Sequence, residues 1–319
     1  MKAVVFAPQT GGLLLDTNYP QPTPPPGEAR IRTLLAGICN TDLEILRGYA
    51  QFEGVLGHEF VGQVVEAEDP ALLGQRVVGE INAYCGSCPT CRAGNEIHCP
   101  QRTTLGIHDR DGALAEFFCL PARNLHPVPE GVPDKAAVLT EPLAAACEIL
   151  DQVHIRPTDR VVVLGDGKLG LLIAQVVALT GCDLTVVGRH PDKLDILARR
   201  GIATQIGTHS LARKADLVVE CTGQAQGFQT ARELVRPRGT LVLKSTYHGR
   251  VETDLSSLVV DEIQVVGSRC GPFPAALRLL AQGLVDVQAL IEAEYSLDEA
   301  LAAFEHAGRR GSLKVLVRP

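Results

Sequence analysis

The chain has 319 residues, of which 45% are hydrophobic, and it carries a formal net charge of −7. This length and composition suffice to bury a substantial core and are compatible with two domains. The acidic balance, without long blocks of like charge, argues against a nucleic-acid partner. No apolar run approaches the ~20 residues of a membrane span, and the first residues lack the pattern of a signal peptide, so we expect a cytoplasmic protein with no membrane partner.

Strand-like runs dominate the first 140 residues. The segments KAVVF, EARIRTLLAG, GQVVEA, QRVVGE and ALAEFFCLP are rich in apolar and β-branched residues, and turns containing glycine or proline separate them. We therefore predict a β-rich domain in this part of the chain.

From Glu141 onward the pattern changes to alternating strands and helices. The helical segment EPLAAACEILDQV precedes an apolar strand, a glycine turn, an apolar helix and a second strand, which together form a βαβ unit. Three more apolar strands are expected in ADLVVECTG, GTLVLKS and EIQVVGS, so this region predicts a doubly wound parallel sheet. The remaining tail predicts two helices and a closing strand that can rejoin the first domain.

The segment GDGKLG, residues 165–170, matches the dinucleotide-binding pattern G-x-G-x-x-G. It follows a predicted strand and opens a predicted helix, which is the context that the pattern requires. Its glycines permit a tight turn and a close backbone approach, while the free N–H groups of the helix end stabilise a pyrophosphate. The residues that we assign to cofactor binding here are Gly165, Gly167, Lys168, Leu169 and Gly170.

The end of the second strand of this unit bears on the choice of cofactor. An acidic residue there would bind the ribose hydroxyl of NAD, but the sequence has Gly188, Arg189 and His190. Because an arginine can pair with a 2′-phosphate, we predict a preference for NADP over NAD. The alternative is that Arg189 only stacks on the adenine.

Two later strand ends supply further candidates for cofactor contacts. Ligands of doubly wound folds collect at the carboxyl ends of the strands. The residues at these ends are Thr222, Gly223, Ser268 and Arg269. Ordinary strand-ending turns would account for the same residues equally well.

Four cysteines, Cys85, Cys88, Cys91 and Cys99, form a C-x2-C-x2-C-x7-C array. Their clustering in a long chain favours metal binding over disulfides. Four thiolates can close a tetrahedral zinc site with no open position, which is typical of a structural metal. An iron–sulfur cluster remains an alternative, although the last gap is seven residues rather than three, and His98 could replace Cys99.

A second set of ligand types is spread along the chain in Cys39, His58, Glu59 and Glu141. Each residue alone has an ordinary explanation, since a single cysteine is usually buried and a single glutamate usually solvated. Together they offer sulfur, nitrogen and carboxylate oxygen. This mixture suits a catalytic zinc with three protein ligands and one open position.

At these residues the sequence resembles the zinc-containing medium-chain dehydrogenases of the alcohol, sorbitol, threonine and glucose dehydrogenase type. The resemblance covers nearly the whole chain and rests on GICNTDLEI, GHEFVG, the four-cysteine array, TEPLA and GDGKLG, in family order. It implies a GroES-like catalytic domain formed by residues 1–140 and 268–319, which includes a structural zinc lobe at about 84–102. It also implies a Rossmann domain at residues 141–267.

The resemblance further implies roles for single residues. Cys39 and His58 would be ligands of a catalytic zinc, Glu59 a ligand or close neighbour, and Glu141 a carboxylate beside the metal. Thr41 would pass on the substrate proton. The implied cofactors are one catalytic zinc, one structural zinc and NADP or NAD, and the implied substrate is an alcohol, polyol, sugar or hydroxy amino acid, or the matching carbonyl compound.

Other functions and the assembly stay open at this point. The alternatives are a zinc-independent quinone or enoyl reductase of the same superfamily and a catalytically silent cofactor-binding protein. The assembly is open between a homodimer and a homotetramer. The sequence does not rank the candidates for the substrate pocket, which are Phe52, Leu105, His108 and Tyr247.

Overall fold

The computed structural model describes residues 1–9, 11–209, 213–246 and 252–319, so Tyr247 lies outside the described residues. The chain divides into two units. The first unit comprises residues Met1–Glu141 and Phe273–Pro319, and the second comprises Pro142–Pro272.

The described residues form strands throughout both units and helices mainly in the second half of the chain. The strands are β1 (Ala3–Ala7), β2 (Gly12–Asp16), β3 (Glu28–Ile38), β4 (Gly54–Val55), β5 (Glu59–Glu66), β6 (Arg76–Gly79), β7 (Asn82–Ala83), β8 (Thr103–Thr104), β9 (Phe117–Pro121), β10 (Leu125–Pro127), β11 (Arg160–Leu164), β12 (Asp183–Gly188), β13 (Ala203–Ile206), β14 (Ala215–Glu220), β15 (Val235–Leu243), β16 (Gln264–Gly267), β17 (Ile291–Ser296) and β18 (Lys314–Arg318). The helices are α1 (Asn40–Leu46), α2 (Pro89–Arg92), α3 (Asp134–Ala137), α4 (Thr140–Gln152), α5 (Lys168–Ala178), α6 (Pro191–Ala198), α7 (Ala225–Leu234), α8 (Leu255–Val260), α9 (Phe273–Ala281) and α10 (Ala300–Ala307).

The long strand β3 organises the first unit. It pairs antiparallel with β5, β9 and β18 within a sheet of order β10-β6-β5-β3-β18-β17. The closing strand β18 thus pairs with β3 within the first unit. Buried apolar side chains from β3, from β18 and from α1 belong to one core cluster, which includes Ile38, Leu43 and Val315. The sequence analysis did not predict β17, which pairs parallel with β18.

The second unit is a six-stranded parallel sheet of order β13-β12-β11-β14-β15-β16. Its central strands are almost continuously apolar and β-branched, as is usual for parallel strands that are covered on both faces. This confirms the Rossmann-type sheet, with β13 as an additional strand that the sequence analysis missed. Among the described residues, no helix is long and apolar enough to cross a membrane.

Candidate metal centres and cofactor site

Strand pairing brings Cys39, His58 and Glu59 together. In the antiparallel pairing of β3 with β5, Gly37 lies opposite Glu59. Cys39 follows the end of β3 and His58 immediately precedes β5, so the two side chains emerge at the same end of this strand pair. Candidate ligand atoms of the three residues all lie within 4.8 Å of one another.

Asp42 fixes the conformation of the Cys39 turn. Cys39 is the N-cap residue of α1, and its backbone N–H donates to Oδ2 of Asp42 at 2.8 Å in a capping box. The other carboxylate oxygen accepts the backbone N–H of Gly57 at 3.3 Å and lies 3.3 Å from Nδ1 of His58. Asp42 is fully buried. One carboxylate therefore holds both turns that carry the candidate ligands.

Lys314 is a member of this site that the sequence analysis did not single out. Its ammonium group donates to Oε2 of Glu59 and to the carbonyl oxygen of Ile38, the latter at 3.3 Å. Lys314 and Glu59 are 2% and 1% exposed. A Cβ atom at Gly37 would lie 2.5 Å from Oε2 of Glu59 and 3.4 Å from Cδ of Lys314, so only glycine leaves room for this ion pair.

One buried polar atom of the group, Oε1 of Glu59, has no hydrogen-bond partner among the described residues, whereas Nδ1 of His58 faces the Asp42 carboxylate at 3.3 Å. Such atoms are costly unless a ligand or metal satisfies them. The two carboxylates and the Cys39 thiolate face a single buried ammonium, so a dication would bring the formal charge of the group to zero. The donor set of sulfur, nitrogen and oxygen therefore fits zinc.

Burial and charge act against each other in this group. Burial disfavours the His58 imidazolium, but the nearby Asp42 carboxylate and the Cys39 sulfur outweigh it and raise the pKa of His58 well above its ordinary value. Burial likewise disfavours the Lys314 ammonium, yet Glu59 and Cys39 raise the pKa of Lys314. When no metal is bound, both shifts therefore favour the protonated, positively charged forms of His58 and Lys314.

The two other residues predicted for this site lie at different distances from the group. The Thr41 hydroxyl is 3.7 Å from the Cys39 sulfur, so it lies at the edge of the candidate metal site. Glu141 lies in the first turn of α4 and is half-buried, and it is outside the set of ligand atoms within 4.8 Å of one another.

The four cysteines of the array form a second candidate metal centre. The measured Sγ–Sγ distances are 3.4 Å between Cys88 and Cys91, 3.6 Å between Cys85 and Cys99, and 3.9 Å for two further pairs. These lengths are far above a disulfide bond and close to the roughly 3.8 Å expected between ligands at 2.3 Å from a tetrahedral zinc. His98 is not part of the group.

Backbone N–H groups donate to two of the four cysteine sulfurs. Cys88 is the N-cap of α2 and accepts the backbone N–H of Cys91 at 3.5 Å, while Cys85 accepts the backbone N–H of Cys88 at 3.4 Å. Hydrogen bonds from the backbone of Ser87 and Cys88 lower the pKa of Cys85 to about 6, despite a smaller opposing effect of burial. Such donors stabilise the thiolate form, which is the form that binds zinc.

The glycine turn of the second unit connects β11 to α5. Gly165 has a φ of 130°, and a Cβ atom at Gly170 would lie 2.2 Å from the carbonyl oxygen of Gly165. Gly167 is the exposed N-cap of α5, with no atom within 4 Å of an added Cβ, so its backbone is open to a ligand. Lys168 and Leu169 are half-buried in the first helical turn.

The residues after β12 contact the glycine turn. The backbone N–H groups of Arg189 and His190 donate to Oδ2 of Asp166 at 2.6 and 2.7 Å, and Nδ1 of His190 lies 3.0 Å from the same oxygen. The exposed Arg189 guanidinium donates to Oε1 of Gln224 at 2.9 Å. The sequence analysis named Arg189 and His190 as candidates for cofactor contacts but did not name Asp166.

The later strand ends are held by two buried charged residues. The backbone N–H and the hydroxyl of Thr222 donate to Glu220 at 2.8 and 2.6 Å. Lys244 donates to the Ser268 hydroxyl at 3.2 Å and to the carbonyl oxygen of Arg269 at 2.9 Å.

Exposure differs among these candidates for cofactor contacts. Ser268 is buried, whereas Gly223 and Arg269 are exposed. Of the candidates for the substrate pocket in the first unit, Phe52 and Leu105 are buried and His108 is exposed.

Comparison with known proteins agrees with this architecture. Residues 25–130 match the alcohol dehydrogenase GroES-like domain, and residues 169–282 match the zinc-binding dehydrogenase family. A sorbitol dehydrogenase of Halalkalibacterium halodurans is 30% identical over 100% of this chain and 99% of its own length. The chain therefore belongs to the zinc-containing medium-chain dehydrogenases. It is an oxidoreductase whose cofactors are zinc and a nicotinamide nucleotide.

Solved structures show the same fold over the full chain. An alcohol dehydrogenase of Escherichia coli CFT073 in complex with NADH has a TM-score of 0.90 at 26% identity, over 100% of this chain and 99% of its own. A protein of Sinorhizobium meliloti 1021 bound to NADP, described as a zinc-binding dehydrogenase, has a TM-score of 0.88 at 29% identity over the same shares.

Proposed function

We propose that the protein oxidises a hydroxyl group of a polyol, sugar, simple alcohol or hydroxy amino acid and transfers the hydride to a nicotinamide nucleotide. The observation that carries this proposal is the buried group of Cys39, His58 and Glu59, in which Oε1 of Glu59 has no hydrogen-bond partner among the described residues. The similarity to a sorbitol dehydrogenase over the whole chain supports a polyol as the first substrate class to test. A zinc-independent reductase of the same superfamily would have no use for this ligand group.

Each residue of the group has a proposed role. Cys39, His58 and Glu59 hold the catalytic zinc, and Glu141 supplies a further carboxylate close to it. When bound, zinc supplies the Lewis acidity that favours loss of the substrate hydroxyl proton, and nicotinamide accepts the hydride. The Thr41 hydroxyl, 3.7 Å from the Cys39 sulfur, accepts that proton and passes it outward.

Lys314 and Asp42 position the ligands. Lys314 binds Oε2 of Glu59, so Oε1 remains for the metal. Asp42 holds the Cys39 turn and lies beside the His58 imidazole. Such outer contacts orient metal ligands and tune their affinity.

The four-cysteine site has a structural role in this proposal. Cys85, Cys88, Cys91 and Cys99 bind the second zinc with no position left for substrate. Its effect is to fix the loop between β7 and β8, which otherwise contains only the short helix α2 and one 3₁₀ turn at Glu96–His98.

The cofactor is proposed to be NADP in preference to NAD. Gly165, Gly167 and Gly170 admit the pyrophosphate beside the first turn of α5, with Lys168 and Leu169 next to it. Arg189 and His190 supply cationic and polar groups for the 2′-phosphate. Thr222, Gly223, Ser268 and Arg269 are assigned to the remaining contacts at the strand ends.

The assembly is proposed to be a homodimer that associates through β16, with a homotetramer as the larger alternative. Among the described residues, β16 pairs only with β15, and Leu255, Val259, Val260 and Val265 near this edge are exposed. An unpaired strand edge with exposed apolar side chains favours association with a second chain. No disulfide joins any of the ten cysteines, all of which lie in the described part of the chain, and this suits a reducing compartment, so we propose that the enzyme acts in the cytoplasm.

The test is the initial rate of nicotinamide reduction with polyols, aldoses, secondary alcohols and L-threonine, each with NADP and with NAD. We expect turnover of at least one class by zinc-replete protein, with the higher kcat/KM for NADP. No turnover across the panel by zinc-replete protein that binds the cofactor would favour a catalytically silent protein.

A further inference from the structure

We propose that Asp166 is a positioning residue for cofactor selection: its carboxylate holds the turn after β12 so that Arg189 and His190 face the 2′-phosphate of NADP. This proposal rests on the proposed preference for NADP. It assigns a specificity role to a residue of the glycine turn itself, at the first variable position of GDGKLG.

The contacts of Asp166 are concentrated on this one turn. Its Oδ2 atom accepts the backbone N–H groups of Arg189 and His190 at 2.6 and 2.7 Å, and Nδ1 of His190 lies 3.1 and 3.0 Å from the two carboxylate oxygens. Three nitrogen atoms on two consecutive residues, Arg189 and His190, therefore face one carboxylate. Hydrogen bonds to a charged acceptor are the stronger kind, so this contact fixes the backbone of the turn.

Gly188 makes this arrangement possible. A Cβ atom at Gly188 would lie 2.5 Å from Oδ2, 2.6 Å from Cβ and 2.7 Å from Cγ of Asp166. The Asp166 side chain therefore occupies the space that a side chain at the end of β12 would fill. The acidic group at this strand end comes from the glycine turn and not from the strand.

The Asp166 carboxylate is not placed to bind the ribose itself. Asp166 is 8% exposed, and both of its oxygens already face donors of the turn. Burial opposes its ionisation, but the backbone N–H groups of His190 and Arg189 outweigh this and lower the pKa of Asp166. The carboxylate therefore stays ionised, and its charge faces the donors of the turn.

Arg189 is in turn oriented from the end of β14, which lies on the other side of β11 from β12. Its guanidinium donates one hydrogen bond to Gln224, which follows β14. A guanidinium has five N–H donors, so most remain available for a phosphate. Asp166 fixes the backbone of Arg189 and Gln224 fixes its side chain, which together prepare a site for a second phosphate group.

The test measures binding of 2′,5′-ADP and 5′-AMP by calorimetry, without any turnover. We expect wild type to bind 2′,5′-ADP more tightly than 5′-AMP. In Asp166→Asn, affinity for 2′,5′-ADP should fall about tenfold or more, because an amide cannot accept from the same donors with a full charge, while affinity for 5′-AMP changes by less than about twofold. The matched control is Asp192→Asn, which removes an exposed carboxylate close in sequence and should not weaken 2′,5′-ADP.

A second variant tests the same contact in case Asp166→Asn does not fold. Gly188→Ala keeps Asp166 but displaces it from the turn, so it should reproduce the selective loss of 2′,5′-ADP binding. Three results in a folded variant would overturn the role of Asp166: an equal loss of affinity for both ligands, a loss of affinity for 5′-AMP alone, or no loss of affinity for either. If wild type binds 5′-AMP as tightly as 2′,5′-ADP, the preference for NADP is itself wrong and the positioning role falls with it.

Discussion

Lys314 forms an ion pair with Glu59 across 255 residues of sequence, and neither side chain is more than 2% exposed. The pair joins the last strand of the chain to the strand that carries the candidate metal ligand. Because β18 and β5 both pair with β3, the carboxyl-terminal segment is part of the site. The candidate metal centre therefore includes residues from both ends of the first unit.

Replacement of Lys314 tests this dependence. Lys314→Met leaves the Glu59 carboxylate buried without its cation, so we expect the zinc-free protein to lose about 3–5 kcal/mol in free energy of unfolding. Zinc should restore part of this loss, because the metal provides the missing positive charge. Chemical denaturation with and without zinc measures both effects.

The matched control for Lys314 is Lys135→Met. Lys135 pairs with Glu294 at 3.0 Å, but its side chain is 48% exposed, so its loss should cost no more than about 1 kcal/mol. The double variant Lys314→Met with Glu59→Gln should recover stability relative to Lys314→Met alone. Equal costs for the two lysines would contradict a buried ion pair at the site.

Gly37→Ala tests the space that the ion pair requires. The added methyl group would lie 2.5 Å from Oε2 of Glu59, so the carboxylate must move. We expect zinc affinity of the catalytic site to fall roughly 10- to 100-fold, as for other changes beside metal ligands. Competition with a zinc-binding dye gives the affinity. Gly11→Ala is the control, since its Cβ would meet only Leu14 at 3.9 Å, and unchanged affinity in Gly37→Ala would argue that Glu59 is not a ligand.

Cys88→Ser tests whether the four-cysteine site has a structural role that is distinct from catalysis. It should remove one zinc per chain and lower Tm by roughly 5 °C or more, since each kcal/mol lost shifts Tm by about 2–4 °C in domains of this size. The kcat of the remaining folded enzyme should change little. Cys182→Ser, a half-buried cysteine outside both groups, should keep its zinc content. A collapse of kcat in folded Cys88→Ser would show that the structural assignment is wrong.

The exposed edge strand β16 predicts a dimer, and a single charged substitution on this strand should prevent its formation. Val265→Lys places a charge on the unpaired strand, which opposes association through that edge. Light scattering should therefore give half the mass of wild type. Leu179→Lys, an equally exposed apolar position in the same unit, should leave the mass unchanged. A Val265→Lys protein that remains dimeric would place the interface elsewhere.

Most of the fold was predictable because its strongest signals are local. The apolar run before GDGKLG and the helix after it define β11 and α5 by composition and glycine placement. By contrast, β13 is four residues long and half polar, and β17 alternates charged with apolar residues. Both are recognised as strands through hydrogen bonds to neighbours, which no local pattern reveals.

The candidate sites likewise contain residues that the local sequence reveals and residues that only distant contacts reveal. The ligand types and their family order identified Cys39, His58 and Glu59, and the structure brings them within reach of one ion. Lys314 and Asp166 were missed because their proposed roles come from distant or cross-strand contacts. A lysine that opens a strand is ordinarily exposed, so only the structure shows that Lys314 is buried against Glu59.

Cys39, His58 and Glu59 are proposed to hold a zinc ion that turnover requires. The most direct measurement is zinc content and rate of polyol oxidation in wild type and Cys39→Ala, with cofactor binding measured in both. Wild type should contain about two zinc ions per chain and turn over the polyol, since two ligand groups are present. Cys39→Ala should show about one zinc, intact cofactor binding and no turnover. Full activity of a Cys39→Ala protein that has lost one zinc would remove this metal from the reaction.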